Sequence, residues 1–154
     1  MITVEFNDAV ARDAFRRLAA AMTDMTQPLQ DVADFLRDSS LDRMKAGVSP
    51  DGAPFAPRSP TTIARYEQAG TRFDHPLNVT HRLRNSFHSE AGPDYARVAN
   101  SAIQAAVMHF GAPARSLGPK SPWGDIPARP FLGISDSDRT GIIDIVSEWL
   151  ESLT

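Results

Sequence analysis

The spacing of apolar residues predicts one short strand and two helices in the first third of the chain. Residues 2–6 alternate between apolar and polar side chains, which predicts a half-buried strand that ends at a turn. Residues 9–24 place apolar side chains on one helical face and charged side chains on the other. Thr26 is expected to cap a second helix, which runs to Ala46 and ends at Gly47, the residue type favoured just past a helix end.

The middle of the chain predicts a short helix, a helical turn and a hairpin. Ser59 is followed by a proline that suits the first helical position, so a helix is expected from there to about Ala69. Residues 80–85 are expected to form one helical turn. Residues 87–90 and 95–100 flank an Ala-Gly-Pro-Asp stretch and predict a β-hairpin that lengthens the sheet begun by the N-terminal strand.

Two more helices are predicted towards the C-terminus. Ser101 is expected to cap an alanine-rich helix that ends at Phe110, before Gly111. Ser135, with Asp138 three residues later, resembles a capping box and predicts the start of the last helix. The apolar face of this amphipathic helix comprises Ile142, Ile145, Val146, Trp149 and Leu153.

Two long loops rich in proline and glycine separate these elements. They cover residues 47–60 and 112–130, and the second exceeds the length at which a loop without regular structure needs a functional explanation. The 154 residues fit one domain, spanning residues 1–154. The predicted fold class is α+β, with helices packed on a small, mainly antiparallel sheet.

Composition narrows the classes of function. The chain has no cysteine, which excludes disulfides, thiolate catalysis and cysteine-based zinc sites. Its net charge of -3 gives no general attraction to nucleic acid or to an anionic membrane. The sequence shows no secretory signal and no apolar stretch long enough to span a membrane, so we expect the protein to work in the cytosol or on something assembled there.

The sequence contains no recognisable catalytic motif. The histidines lack the spacings that place two metal ligands together, so no metal site is predicted, although a metal-dependent hydrolase is kept as the weakest alternative. No serine lies in a Gly-x-Ser-x-Gly turn, and no glycine-rich phosphate loop is present. We therefore expect no enzyme activity and no cofactor. The four histidines are His75, His81, His88 and His109.

A DNA-binding accessory protein is the stronger alternative. It would use arginines of the first two helices together with two before the hairpin. Aspartates are interleaved with the helical arginines, which favours ion pairs on a solvated helix surface over a continuous basic stripe. The arginines concerned are Arg12, Arg16, Arg17, Arg37, Arg43, Arg82 and Arg84.

The segment IPARPF at 126–131 favours a role in binding other proteins. Its two prolines fix the backbone and bias the preceding residues towards extended conformations. A stiff segment loses little entropy on binding, and it is expected to present Arg129 close to the aromatic residues Trp123 and Phe131. Phe131 fits two interpretations, a docking contact and a core residue.

The chain resembles the phage virion morphogenesis family, the tail-completion or neck proteins of Mu-like and related tailed phages. Phe55 stands where this family usually has tryptophan, which keeps an aromatic side chain. His81 stands where glycine is usual, which suggests a locally different turn. The resemblance rests on SPDGAPFAP at 49–57 with Ser59 and Thr62, THRLRNS at 80–86, Phe110-Gly111, and IPARPFLGIS at 126–135 with the closing helix.

The resemblance implies a structural virion protein that completes the tail and joins it to the head, as a ring-forming adaptor at the neck or tail terminus. The implied partners are further copies in a homo-oligomeric ring and other neck, tail-tube or connector proteins. DNA is implied only as transiting cargo, no membrane is involved, and assembly takes place in the host cytoplasm. The candidate interface or loop-shaping residues are Trp123, Arg129, Phe131, Phe55 and Gly111.

Overall fold

The computed structural model describes residues 8–119 and 124–153. Within these ranges the chain forms five α-helices and one antiparallel hairpin, which confirms the predicted α+β class. The helices are α1 (Ala9–Ala21), α2 (Thr26–Ala46), α3 (Pro60–Gln68), α4 (Ala105–Phe110) and α5 (Asp136–Glu151). The strands are β1 (Phe87–Gly92) and β2 (Tyr95–Asn100), preceded by a short 3-10 turn, Arg84–Ser86. The strand predicted at residues 2–6 lies outside the described residues.

Helix α1 begins at a side-chain cap, whereas the N-cap residue of α2, Met25, provides no side-chain hydrogen bond. The Asp8 carboxylate accepts hydrogen bonds from the backbone of Val10 and Ala11, at 2.9 and 3.3 Å, and starts α1. Thr26 does not cap α2 because it is the first helical residue. The carboxylate of Asp24 accepts instead from the Thr26 backbone at 2.9 Å, since an aspartate two residues earlier can reach that amide.

The hairpin forms the centre of the fold. Its register pairs Phe87 with Asn100 and Gly92 with Tyr95, so the turn has two residues and not the four predicted. Helix α2 packs across both strands, and α5 packs on α2. The two-stranded sheet carries no third strand within the described residues.

The start of α4 also differs from the prediction. Ser101 does not cap it, because the helix begins only at Ala105. The Ser101 hydroxyl lies 2.7 Å from Nε2 of His88. The side chain of Asn100 organises the turn instead, since it accepts from the Ala102 backbone at 3.0 Å and donates to the Leu83 carbonyl at 2.7 Å.

The capping box of α5 is confirmed. The Ser135 hydroxyl accepts from the Asp138 backbone at 3.1 Å, and the Asp138 carboxylate accepts from the Ser135 backbone at 2.8 Å. Together these bonds satisfy two backbone donors that a helix start leaves unpaired.

The core lies where α2, the hairpin, α4 and the two proline-rich loops meet. Apolar burial there is the main stabilising contribution, and Phe131 is fully buried at its centre. No helix in the described part of the chain is long and apolar enough to cross a membrane. The buried cluster comprises Met44, Phe55, Leu83, Phe87, Ala105 and Phe131.

The turn at His81 also differs from expectation. The sequence suggested that histidine would avoid the conformation open to glycine there. His81 nevertheless has a φ of 58°, in the left-handed region. Its carbonyl accepts from the Asn85 backbone at 2.9 Å, so the turn closes with histidine in the conformation that suits glycine.

Candidate interaction site

Arg129 lies inside the protein, between the two proline-rich loops. Its Nε donates to the Ala56 carbonyl at 2.6 Å, and its Nη2 donates to the Pro57 carbonyl at 2.8 Å. Only 7% of the residue is exposed. Burial, with a smaller effect from nearby Arg58, lowers the pKa of Arg129. The prediction that a stiff segment presents Arg129 outwards is therefore wrong, because its guanidinium donates to backbone carbonyls of the first proline-rich loop.

Phe131 and Phe55 both belong to the core. Phe131 contacts the ring of Phe87 edge-on with centroids 5.9 Å apart, and it meets His109 in the same way at 5.1 Å. Phe55 is 6% exposed. Of the two interpretations of Phe131, the structure favours the core residue. Both phenylalanines shape the loops around them instead of offering a free side chain to a partner.

His109 fixes the backbone that leads to Phe131. Its Nδ1 lies 3.3 Å from the backbone nitrogen of Phe131, so the ring accepts from that amide. Burial lowers the pKa of His109, which favours the neutral form that this bond requires. The side chain therefore serves as a structural acceptor.

Gly111 allows the segment 126–128 to lie against the end of α4. Its φ is +75°, and a Cβ there would lie 2.7 Å from the Ile126 carbonyl oxygen and 2.8 Å from the Ala128 nitrogen. Beside it, Ala112 and Ile126 exchange backbone hydrogen bonds of 2.9 and 2.8 Å. The backbone of Arg129 adds a bond to the Met108 carbonyl at 2.9 Å. The long second loop is thus closed at its base and attached to α4.

An exposed apolar surface lies on the outer side of α4 and on the turn that precedes it; we call it the α4 face and define it as Ile103, Ala106 and Phe110. Ile103, in the turn, is 99% exposed and Phe110 is 76% exposed. Ala106 and Phe110 are four residues apart and lie on one side of the helix. Ala105 and Met108 face the core on the other side. An apolar stripe on a helix held this firmly is typical of an interaction surface.

The sequence analysis did not select Ile103 or Phe110 as site residues. A signal was present, because the segment 102–110 is apolar around most of its circumference. A helix of this kind at the surface must leave one side uncovered. Trp123, which the sequence did select, lies outside the described residues, so its role stays a prediction.

Two arginines of the DNA-binding alternative are engaged within the fold. Arg43 forms a largely buried ion pair with Asp138, at 2.6 Å, and also donates to the Gly133 carbonyl at 2.8 Å. Arg37 donates to Asp34 at 2.9 Å and to the Ser89 hydroxyl at 3.1 Å. The Arg43 guanidinium is largely buried, and that of Arg37 is already paired with carboxylates.

The described residues contain no group of three or more histidines, aspartates and glutamates that could hold a metal ion. His88 and Ser101 make a hydrogen bond between imidazole and hydroxyl, the kind of contact that activates a nucleophilic serine. In the described part of the chain, however, His88 has no carboxylate hydrogen-bonded to its second ring nitrogen, the group that orients such a base.

The comparison with known families supports the family resemblance that was noted from the IPARPFLGIS stretch and the closing helix. The chain matches the phage virion morphogenesis family over residues 6–151. It belongs to this family. It is 32% identical, over 127 residues, to the tail completion protein S of Escherichia phage P2, covering 79% of this chain and 81% of the relative. No solved structure matches the chain significantly. As a family member, the protein is a structural component of the phage virion with a role in the tail.

The segment IPARPFLGIS, which carries the most specific family resemblance, connects most parts of this fold. Ile126 pairs with Ala112, Arg129 reaches the first loop, and Phe131 fills the core. The Gly133 carbonyl then accepts from α2, and Ser135 caps α5. The segment thus positions the α4 face relative to the rest of the fold, and its Arg129 and Phe131 are buried.

Proposed function

We propose that this family member completes the phage tail as a non-catalytic adaptor at the head–tail junction, with several copies arranged in a ring. In this proposal the α4 face docks onto a neighbouring tail-tube, neck or connector protein. DNA passes through the ring as cargo, and the net charge of -3 disfavours its retention on the surface.

The exposure of Ile103 and Phe110 is the observation that carries this proposal. Exposed apolar side chains on a rigid element gain free energy when a partner covers them, and they lose little conformational entropy in doing so. Two contacts hold α4 rigid, since Ala105 is buried in the core and the Met108 carbonyl accepts from the Arg129 backbone. The phage P2 relative is a tail completion protein, which supports the same step of assembly.

The test truncates the α4 face while keeping the fold. Ile103→Ser and Phe110→Ser remove exposed apolar area, so the free energy of unfolding, measured by thermal unfolding, should stay within about 0.5 kcal/mol of wild type. Supplied to a phage that lacks the wild-type gene, the double variant should lower the yield of infectious particles roughly tenfold to hundredfold, the loss typical of truncated interface hot spots. Electron microscopy should show unjoined heads and tails.

The matched control is Tyr95→Ala, which truncates a half-exposed aromatic residue on the hairpin. It should support a normal yield. Full infectivity from a folded Ile103→Ser, Phe110→Ser variant contradicts the docking role of α4. Arg129→Ala does not serve this test, because Arg129 is buried and its loss destabilises the fold. Trp123→Ala remains the direct test of the predicted Trp123 contact.

A further inference from the structure

Helix α1 exposes an apolar strip of its own. Phe15, Ala19 and Met22 recur at helical spacing and are exposed, with the exposed Arg12 one turn earlier on the same side, and we call these four residues the α1 strip. Phe15 is 71% exposed and Met22 is 62% exposed. No residue of α1 is buried, and no other described helix or strand packs extensively on it. The part of the chain that the structure describes therefore leaves this strip uncovered.

The charge on α1 is positive. The helix contains three arginines and one aspartate. Asp13 pairs with Arg16 at 3.1 Å. Arg12 and Arg17 form no ion pair with any other described residue. A partner of α1 should therefore combine apolar area with negative charge.

Such a surface lies on the outer side of α5. Ile143 is 64% exposed there, and Asp144, Ser147 and Glu148 are exposed beside it, so we call these four residues the α5 surface. The helix contains five acidic residues and one arginine. Among the described residues, Asp144 and Glu148 form no ion pair. The opposite side of α5 faces α2.

We infer that the α1 strip of one copy docks on the α5 surface of the next copy. Phe15 and Met22 would cover Ile143, while Arg12 and Arg16, on one flank of the strip, would lie near Asp144 and Glu148. The charges favour this pairing because arginines of α1 meet carboxylates of α5, whereas two copies of either surface would repel each other. A two-fold contact between two α1 helices would place each arginine-rich helix against its own copy.

A contact between two different surfaces of the same chain is heterologous, and it generates a closed ring or an open filament. The inference rests on the proposed ring-forming role and specifies the faces that join the copies. The α4 face takes no part in it, so it stays available for the neighbouring tail protein.

Cross-linking tests the contact directly, because the chain has no cysteine of its own. Ala19→Cys on the α1 strip and Ser147→Cys on the α5 surface replace small exposed residues. A chain carrying both should give a ladder of multimers with a short thiol cross-linker, in the purified protein and in isolated tails. Either single variant should stay monomeric on a denaturing gel.

Charge reversal gives a second, independent test by sedimentation. Arg12→Glu with Arg16→Glu reverses the charge beside the α1 strip, and Asp144→Lys with Glu148→Lys reverses that of the α5 surface. Each variant alone should self-associate about tenfold to hundredfold more weakly than wild type. A one-to-one mixture should recover association, because each reversed helix then meets an opposite charge. The control, Arg72→Glu with Arg82→Glu, makes the same change in net charge elsewhere and should associate normally.

Three outcomes overturn the inference. Dimers from Ala19→Cys alone would show a two-fold α1 contact. Cross-links only to a different tail protein would show another partner. A wild-type chain that stays monomeric at all concentrations, together with a double-cysteine chain that yields no ladder in tails, would show that copies do not join here. The proposed docking role is judged separately, since a double-cysteine chain that also carries Ile103→Ser and Phe110→Ser should still form the ladder when its tails fail to join heads.

Discussion

Gly111 shows how one residue determines a long-range approach. Its positive φ ends α4, and its missing side chain leaves room for the backbone of Ile126 and Ala128. Gly52 offers a matched comparison, since it also has a positive φ, +83°, but no other atom lies within 4 Å of a Cβ placed there. Gly111 differs in two ways, since its ψ of 175° lies in a region open essentially to glycine alone and a Cβ there would overlap backbone atoms.

We expect Gly111→Ala to be more destabilising than Gly52→Ala. Gly52→Ala should lower the free energy of unfolding by about 1–2 kcal/mol, the cost of a left-handed conformation for a residue with a Cβ. Gly111→Ala should lower it by about 1–3 kcal/mol more, because the new methyl group overlaps backbone atoms that cannot rotate away. Urea unfolding of both variants measures the difference, and equal values would contradict the steric account.

At the scale of elements, one buried carboxylate joins α2 to the start of α5. Asp138 is 1% exposed, accepts from Arg43 at 2.6 Å and bonds to the Ser39 hydroxyl. Burial raises the pKa of Asp138, but hydrogen bonds from Ser39, Ser135 and Arg43 together outweigh it, so the pKa is lowered overall. The carboxylate is therefore ionised in the folded protein at neutral pH.

The lowered pKa of Asp138 predicts a loss of stability in acid. In the unfolded chain this carboxyl should titrate near about pH 4. As the pH falls below that value, the unfolded state binds a proton that the folded state resists, so the contribution of Asp138 is lost as the pH falls through the folded-state pKa.

Asp138→Asn should reduce the free energy of unfolding at pH 7 by about 3 kcal/mol, since it leaves Arg43 buried without its partner. It should also show a shallower fall in stability between about pH 5 and pH 2 than wild type. Asp144→Asn, on the exposed side of the same helix, should change stability by less than about 0.5 kcal/mol. Denaturant unfolding across this pH range checks both, and parallel pH profiles for wild type and Asp138→Asn would refute the linkage.

At the scale of the molecule, the described part of the chain divides into a packed body and a loosely attached helix. The body is formed by α2, the hairpin, α4, α5 and the loops around Phe131. Helix α1 buries no residue. Its connection to α2 is fixed by a hydrogen bond from the Met25 backbone to the Pro93 carbonyl, at 3.1 Å.

Hydrogen exchange should reveal this division. Backbone amides of α1 in the free protein should exchange roughly a hundredfold faster or more than amides near Val32 and Ala33 in α2, because local opening of α1 exposes little apolar surface. In isolated tails the α1 amides should become protected, since a second copy covers the helix. Exchange measured by mass spectrometry tests both statements, and protection of α1 equal to that of α2 in the free monomer would contradict the first.

Much of the fold was predictable because its signals are local. The capping box at Ser135, the helix end at Gly47 and the hairpin at 87–100 depend on neighbouring residues, and all three formed. The caps predicted at Thr26 and Ser101 did not form, because the side chains of Asp24 and Asn100 make the competing hydrogen bonds. Which of two nearby polar side chains bonds to an amide depends on the local backbone geometry, and residue types alone do not determine that geometry.

The sequence by itself determined the α+β class, most helix positions and the family, because periodicity, turn residues and motifs are local features of the sequence. Only the tertiary structure decided which side chains face outwards. Arg129 faces inwards, where it donates to the carbonyls of residues 56 and 57, while Phe110 is exposed because the opposite side of α4 contributes to the core. Burial depends on contacts between residues far apart in sequence, and no local pattern specifies those contacts.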